Sequence, residues 1–152
     1  MASEITINRK ALRDFHILER FEAGVELLGT EVKSIRAGLV TLQGAFARMD
    51  GGNLCLYDSS IQPYERASHE QHETKRVRRL LLHRAEIDRL VGEIEVSGRT
   101  VVALRMYWKK GRVKVELGLG KGKDAGDKRA DLKKRASDRE TDREIADFQR
   151  RK

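Results

Sequence analysis

The sequence predicts a mostly β fold with a few helices, in which short antiparallel strands close into a small β-barrel followed by a basic C-terminal tail. Three observations predict this class. Apolar and polar residues alternate over several short segments, glycine-containing turns separate those segments, and few segments have helical spacing. Closure into a barrel leaves no exposed strand edges. The barrel domain is expected in residues 1–120 and the tail in residues 121–152.

The first elements are a loose start, a helical turn and a strand. Residues 1–7 are expected to be irregular, and Asn8 can cap a short helical turn that continues to Asp14. Residues 15–22 then alternate as a strand does. Ala23-Gly24 predicts a reversal, because glycine adopts turn conformations at no steric cost. The strand would therefore turn back on itself.

After Gly29 the spacing becomes helical, which predicts a short helix that could plug one end of the barrel. Thr30 can cap this helix, Val32 and Ile35 fall on one face, and Gly38 can end it in a left-handed conformation. Two basic side chains remain on its outer side, those of Lys33 and Arg36.

A hairpin is predicted in the middle of the chain. Its strands occupy residues 45–49 and 54–57, and the intervening Asp50-Gly51-Gly52-Asn53 suits a tight reversal. Residues 61–64 contain the only proline and predict a short strand at a sheet edge. Residues 67–75 are predicted to be a polar loop.

The second half begins with Leu80-Leu81-Leu82, expected to be buried, and a helix that Gly92 ends. A long hairpin follows. Its strands are residues 100–108 and 113–119, joined by a reversal at residues 109–112. Four apolar side chains of the first strand are predicted to share one face: Val102, Leu104, Met106 and Trp108.

The composition favours a polyanionic partner. The chain carries 32 Lys and Arg against 24 Asp and Glu, a net charge of +8, which suits nucleic acid or an acidic membrane surface. No apolar run approaches the length of about 20 residues that spans a bilayer, and no secretory signal is visible at the start. A cytoplasmic protein is therefore expected. We separately expect a monomer. The single cysteine, Cys55, excludes an intrachain disulfide.

Clusters of basic residues predict an RNA-binding side of the barrel, because cations near phosphates release counterions. They are Arg9-Lys10-Arg13, Lys33-Arg36, residues 75–79, residues 109–114 and the tail. Aromatic residues make up only 5% of the chain, too few to favour a platform on which single-stranded bases stack. Each cluster taken singly could also be ordinary solvated charge.

Enzymatic readings have little support. His69 and His72 lie three residues apart, a spacing that a metal could use, but no acidic ligand pattern surrounds them. We expect them to be exposed loop residues. The sequence therefore predicts neither an enzyme nor a cofactor nor a metal site. Two alternatives stay open: a generic basic RNA-binding or ribosomal protein of the OB type, and a metal-dependent nuclease that uses these two histidines.

Several motifs, in order along the chain, resemble the family of small protein B, the SsrA-binding proteins that act with transfer-messenger RNA to rescue stalled ribosomes. The motifs are Asn8-Arg9-Lys10-Ala11, Phe21-Glu22-Ala23-Gly24, residues 29–38, Arg79-Leu80-Leu81-Leu82-His83, Lys121-Gly122-Lys123 and Asp127-Lys128-Arg129. The resemblance implies a barrel related to the OB-fold. It also implies two partners, the tRNA-like domain of transfer-messenger RNA and the ribosome.

The resemblance implies roles for particular residues. Asn8 and Glu22 would belong to the surface that grips the tRNA-like domain, and four basic residues are added as RNA contacts: Arg9, Lys10, Lys33 and Arg36. A carboxylate can serve there by accepting a hydrogen bond from a base amino group or a 2′-OH. From the residues alone, Glu22 could equally be a strand-end carboxylate that pairs with Arg20 or Lys33.

The tail holds 12 Lys and Arg and eight Asp and Glu among residues 121–152, with three large apolar side chains. It is expected to be disordered when free and helical on the ribosome. The resemblance implies that it enters the decoding centre of the small subunit and the empty messenger channel. The contacting residues would be Lys121, Gly122, Lys123, Asp127, Lys128 and Arg129. The chain departs from the family pattern at Asp124 and Gly126, where the family usually carries Lys and either His or Tyr.

Overall fold

The computed structural model describes residues 3–64, 72–96 and 98–123. Within these ranges the chain forms nine strands and three helices, which confirms the predicted mostly β class with few helices. None of the helices in these ranges is long and apolar enough to cross a membrane. The elements are β1 (Ser3–Ile7), α1 (Arg9–Asp14), β2 (Phe15–Val25), α2 (Gly29–Arg36), β3 (Val40–Thr41), β4 (Phe46–Asp50), β5 (Asn53–Tyr57), β6 (Ser60–Ile61), β7 (Arg78–Leu81), α3 (Arg84–Ile94), β8 (Arg99–Lys109) and β9 (Arg112–Gly122).

Seven of the described strands form one antiparallel sheet in the order β1-β8-β4-β5-β7-β2-β9, and β9 also pairs with β8. The pairings therefore run in a ring from β8 through β4, β5, β7, β2 and β9 back to β8. β4 and β1 use different halves of β8, since β4 pairs at residues 101–102 and β1 at residues 105–108. β3 and β6 form a separate two-stranded sheet.

The main apolar cluster contains side chains from most strands of the ring together with residues of α2 and α3. Its fully buried members include Leu42, Leu54, Leu56, Ile61, Leu90, Val101, Val115 and Leu117. A second, smaller cluster contains Ala11 of α1 with Val102 and Leu104 of β8. The inner face of the sheet thus packs against the main apolar cluster, and part of the outer face is apolar where α1 packs on it.

The prediction that four side chains of β8 share one face is wrong. The register between β8 and β9 shifts between Ala103 and Arg105, which marks a β-bulge. A bulge adds one residue and so reverses the alternation of faces beyond it. Val102 and Leu104 belong to the small cluster under α1, whereas Met106 and Trp108 belong to the main cluster.

Two predictions at the start of the chain are also wrong. The described part of the expected loose start forms β1, which pairs with β8. The expected reversal at Ala23-Gly24 does not occur, because β2 continues to Val25 and pairs with β9 and β7. A Cβ atom on Gly24 would lie 3.3 Å from the Cβ of Leu81. Glycine is used here for close approach of a neighbouring strand, which is its other common role.

The helix predictions are confirmed in part. Asn8 caps α1 by accepting a 3.2 Å hydrogen bond from the amide of Ala11. α2 exists, and Gly38 follows it with a φ of +77° as expected. Thr30 is not its cap, because the helix begins at Gly29 and the side chain of Glu31 accepts from the Leu28 amide at 2.8 Å.

Both predicted hairpins are confirmed, β4–β5 and β8–β9. The segment at residues 80–82 is only partly buried, because strand alternation in β7 buries Leu80 and exposes Leu81. α3 runs through Gly92 to Ile94, so that glycine does not end the helix. Of the expected edge strand at residues 61–64, only Ile61 lies in β6, and most of the predicted polar loop lies outside the described residues.

A buried ion pair joins α2 to β7. The side chains of Glu31 and Arg78 are both fully buried, and their charged groups lie 2.6 Å apart. Arg78 also donates to the carbonyl and hydroxyl of Ser59, and Arg76 donates to the other Glu31 oxygen at 2.5 Å. Although burial alone would raise the pKa of Glu31, hydrogen bonds from Arg76 and the Leu28 amide, with the charge of Arg78, lower it overall. The carboxylate therefore stays charged in the interior.

Removing one member of this buried pair should lower the free energy of unfolding more than removing an adjacent exposed cation does. Arg78→Ala removes the buried guanidinium that pairs with the Glu31 carboxylate, so the negative charge in the interior is no longer fully balanced. We therefore expect this substitution to lower the free energy of unfolding by about 3–5 kcal/mol. Arg79→Ala removes an exposed arginine whose pair with Glu26 spans 3.7 Å and should cost less than about 1 kcal/mol. Urea denaturation of both variants checks this difference, and equal losses would contradict it.

Candidate nucleic-acid interface

The outer face of β2, β9 and β8 carries a set of facing charged and polar side chains. The register places Glu22 of β2 opposite Glu116 of β9, and Arg105 and Tyr107 of β8 opposite Glu116 and Lys114 of β9. Directly opposed residues in antiparallel strands project from the same face. The strands thus bring together on one surface residues that are far apart in sequence.

Glu22 is held in place by two partners from β8. The Tyr107 hydroxyl donates to Glu22 Oε2 at 2.5 Å, and Lys109 Nζ donates to both carboxylate oxygens at 3.1 and 3.2 Å. The hydrogen bond from Tyr107 is the main reason why the pKa of Glu22 lies below its usual value. Burial and the neighbouring carboxylate raise the pKa of Tyr107. Glu22 is therefore an oriented, charged acceptor whose side chain remains 38% exposed.

Glu116 has different partners. Arg20 pairs with one of its oxygens at 2.7 Å, and Arg105 pairs with the other at 2.9 Å. The pairing that the sequence left open for Glu22, with Arg20 or Lys33, is therefore not the one found. Glu116 neutralises part of the positive charge of Arg20 and Arg105, and the three side chains form a connected network.

Three adjoining open clefts surround Lys114, which lines all of them. Their volumes are about 580, 400 and 390 Å³. We call this region the Lys114 surface, and its basic lining residues are Arg36, Arg79, Lys109, Lys110, Arg112 and Lys114. Within the described part of the chain, Lys110, Arg112 and Lys114 form no salt bridge. Such cations are available to contact phosphates.

The predicted residues Lys33 and Arg36 lie on the exposed side of α2, as expected. The guanidinium of Arg36 lies 5.7 Å from the ring centre of Trp108, and Lys33 Nζ lies 5.9 Å from that of Tyr64. Arg36 and Glu22 both border clefts that contain Gly24 and Lys114. The structure therefore brings Arg36 and Glu22 to the same surface.

Asn8 is placed differently from its neighbours in the chain. It is 3% exposed, and its side-chain amide donates to the carbonyls of Leu42 and Ala103 at 2.9 and 2.8 Å. Its side chain thus fixes α1 to the sheet, and the exposed basic residues Arg9 and Lys10 follow directly. A direct contact between Asn8 and RNA stays a prediction. The contacts that the Asn8 side chain makes within the protein are structural.

The predicted site residues fall into two groups along β2. Arg9 and Lys10 lie on α1, which ends directly before Phe15 at the beginning of this strand, and Glu22 lies seven residues after Phe15, about 23 Å along the strand at 3.3 Å per residue. Lys121 and Gly122 of β9 pair with residues 15–16 and so lie in the first group, beside Lys123 in sequence. Asp127, Lys128 and Arg129 lie outside the described residues.

Sequence reasoning did not single out Tyr107 or Lys114 individually. The basic cluster at residues 109–114 was visible, but it gave no indication that Lys109 turns toward Glu22 while Lys114 lines the clefts. The signal that could have identified Tyr107 is its position between Met106 and Trp108, two apolar residues of the main cluster, because a buried tyrosine usually directs its hydroxyl to a partner.

The expectation that both loop histidines are exposed is wrong for His72. Its ring is 5% exposed, with Nδ1 lying 2.9 Å from the Thr30 hydroxyl and Nε2 lying 2.8 Å from the Ile61 carbonyl. These contacts join the segment at residue 72 to α2 and β6. His69 lies outside the described residues. Among the residues that are described, no group of three His, Cys, Asp or Glu side chains could hold a metal.

Comparisons with known proteins agree on one family. The sequence model of the SmpB protein family matches residues 5–147. An SsrA-binding protein of Pelotomaculum thermopropionicum is 49% identical over 96% of this chain and 95% of its own, and one of Corynebacterium glutamicum is 50% identical over 94% and 87%. A solved structure described as tmRNA-SmpB at the center of the bacterial ribosome has a TM-score of 0.68 and 47% identity, covering 81% of this chain and 87% of its own.

The hydroxyl of Tyr107 should be the main group that lowers the pKa of Glu22. In Tyr107→Phe the largest contribution that lowers the Glu22 pKa is gone, so this pKa should rise toward the ordinary value of about 4.3. Tyr57→Phe removes a comparable hydroxyl that donates to Asp50 and should leave the Glu22 pKa unchanged. Carboxyl-resolved NMR titration measures both, and an unchanged Glu22 pKa in Tyr107→Phe would contradict the assignment.

Proposed function

The chain belongs to the SmpB family, and on this basis we propose that it binds the tRNA-like domain of transfer-messenger RNA and delivers that RNA to stalled ribosomes for trans-translation. The observation that carries the proposal is identity of about half the residues, over nearly the whole chain, with SsrA-binding proteins. The similar solved structure, which is that of tmRNA-SmpB and the bacterial ribosome, supports both partners.

The Lys114 surface has the chemistry for the RNA contact. Lys110, Arg112 and Lys114 supply positive charge for phosphates, a contribution that carries no sequence information. Glu22 lies among these cations and repels phosphate, but it can accept a hydrogen bond from a base amino group or a 2′-OH. Tyr107 and Lys109 fix the orientation of the Glu22 carboxylate. Glu22 would therefore form its hydrogen bond with the RNA in one orientation of the RNA and not in others.

A second contact would come from Arg9 and Lys10. Lys10 lines a cleft with Phe15, which lies seven residues before Glu22 on β2, about 23 Å along the strand at 3.3 Å per residue; a folded RNA can span such a separation more readily than a short single strand. Simultaneous use of both groups would favour a structured domain over an arbitrary polyanion. Asn8 would contribute by fixing α1, which presents these two cations.

The ring of strand pairings gives this surface a rigid support. We propose that it is a closed, OB-like barrel, because the pairing of β9 with β8 completes the circuit of antiparallel strands. Such closure removes free edges from the strands that carry the contacts. RNA recognition would then depend on side chains projecting from the outside of the ring, and we assign no catalytic role to the protein.

The tail would act on the ribosome. The tail of residues 121–152 is proposed to be disordered in the free protein beyond the end of β9 and helical in the decoding centre and messenger channel, with contacts from Lys121, Gly122, Lys123, Asp127, Lys128 and Arg129. Lys121 and Gly122 also belong to β9. We propose that the protein acts as a monomer in the cytoplasm.

Two substitutions on the Lys114 surface should affect RNA binding in different ways. Lys114→Ala removes a phosphate contact, so affinity for the tRNA-like domain should fall and the slope of log affinity against log salt should decrease by about 1. Glu22→Gln keeps the shape and removes no cation, so it should not decrease that slope, while it should reduce the preference for this RNA over duplex DNA. Binding assays over a salt series measure both quantities.

The matched control for Lys114→Ala is Lys75→Ala, which removes the same charge from an exposed lysine that lines none of the three clefts. Its slope should match that of the wild type. Equal changes in the two lysine variants would mean that net charge alone is responsible, as in a generic basic RNA-binding protein.

The tail motif should separate RNA binding from rescue. A triple variant, Asp127→Ala with Lys128→Ala and Arg129→Ala, should keep wild-type affinity for the tRNA-like domain and lose most tagging of proteins on stalled ribosomes. Affinity measurements and a reconstituted tagging assay test the two halves of this expectation. Loss of RNA affinity with retention of tagging would overturn the division of labour between the domain and the tail.

A further inference from the structure

A fourth cleft lies on the outer side of the sheet, between α1 and the strands β4 and β8, away from the Lys114 surface. Its volume is about 280 Å³. Apolar groups form much of its lining, namely Ala11, Phe15, Ala45, Phe46 and Val102. Lys10 and Asp14, one helical turn apart on α1, line it together with Thr100 of β8.

An ordered aromatic stack adjoins this cleft. The rings of Phe46 and Tyr57 lie 5.5 Å apart with an angle of 15° between their planes, and the Arg48 guanidinium lies 4.4 Å from the Tyr57 ring centre. The Tyr57 hydroxyl donates to Asp50 at 2.8 Å. These contacts fix Phe46 in place, and Phe46 is the member of the stack that lines the cleft. The sequence did not predict this stack, because its aromatic content is low and its local patterns do not indicate that these two rings meet.

We propose that this cleft receives one unpaired base of the bound RNA, which stacks beside Phe46 while Lys10 contacts the phosphate next to it. The proposal rests on the function proposed above and extends it from phosphate contacts to a base-binding subsite. Planar aromatic surfaces next to cations are the combination that binds unstacked bases in RNA-binding proteins. Thr100 offers a polar group to the base edge.

The charge around the cleft favours this occupant over an apolar peptide. Arg9, Lys10 and Arg13 project from α1, and Arg48 lies beyond Tyr57. The nearby acids are engaged within the protein, since Asp14 lies 3.6 Å from Arg13 and Asp50 accepts from Tyr57. An apolar site rimmed by cations suits a base together with its phosphate, because each part of a nucleotide finds a complementary surface.

The direct test is titration of the isotope-labelled, full-length protein with each of the four nucleoside 5′-monophosphates, followed by NMR. Amides of Ala11, Ala45 and Thr100 should shift and saturate with at least one nucleotide, and inorganic phosphate alone should not shift them. The absence of saturable shifts up to millimolar nucleotide would overturn the proposal. Shifts of the same amides on raising the protein concentration alone would indicate a second copy as occupant and would also overturn it.

A pair of variants tests the subsite in the intact RNA complex. Phe46→Leu should weaken binding of the tRNA-like domain by about tenfold and restore chemical reactivity to one unpaired base that the wild type protects. Phe46→Tyr keeps an aromatic ring and should behave as the wild type. Full affinity and full protection in a folded Phe46→Leu variant would contradict the proposal. If that variant does not fold, the nucleotide titration of the wild-type protein is the deciding test.

The result can be separated from failure of the proposed function. If wild-type protein binds the tRNA-like domain selectively and the cleft amides do not respond to nucleotides, only the base-binding subsite is wrong. If the wild type shows no preference for this RNA, the proposed function is wrong, whatever the nucleotide titration shows.

Discussion

The buried pair of Glu31 and Arg78 is the constraint on which the candidate surface depends. With Glu31 directed inward, helical spacing places Lys33 and Arg36 on the outside of α2. With Arg78 directed inward, strand alternation places Arg79 and Leu81 on the outside of β7. A slip of one residue in β7 would bury Arg79 and remove it from the Lys114 surface. One ion pair therefore helps to decide which face of two elements the RNA would meet.

The outer surface combines fixed and available charge. Arg20 and Arg105 are paired with Glu116, and Lys109 is paired with Glu22, whereas Lys110, Arg112 and Lys114 form no salt bridge within the described ranges. Oriented carboxylates among available cations discriminate between ligands better than uniform positive charge, because they penalise phosphates placed wrongly. The β-bulge in β8 contributes by turning Arg105, Tyr107 and Lys109 outward beyond residue 104, on strands that also supply the core.

Local signals in the sequence were sufficient for local structure. Gly51 and Gly52 have positive φ angles in the predicted hairpin turn, and Asn8 caps α1 as expected. Gly24 misled the prediction because glycine serves both turns and close strand contacts, and only the position of Leu81 distinguishes the two. The bulge in β8 leaves no mark in the alternation of a segment that is apolar on both faces.

The candidate site was predictable only where it depends on local sequence patterns. Exposed basic residues on α1 and α2 follow from local patterns, but Tyr107 and Glu22 meet across 85 positions of sequence, and Phe46 meets α1 through the tertiary fold alone. The family resemblance identified Glu22 without indicating what orients it. It also named Asn8 among the RNA contacts, which stays a prediction; burial and three hydrogen bonds show in addition that this side chain has a structural role.

The most direct test of the account is the affinity for the tRNA-like domain of transfer-messenger RNA, compared with ordinary tRNA and duplex DNA over a salt series. It should be measured for the full chain and for a version that ends at Lys123, just beyond β9. Both versions should bind this RNA tightly and selectively, because recognition lies on the strands and helices before the tail. Equal, steeply salt-dependent binding to all three nucleic acids would contradict it.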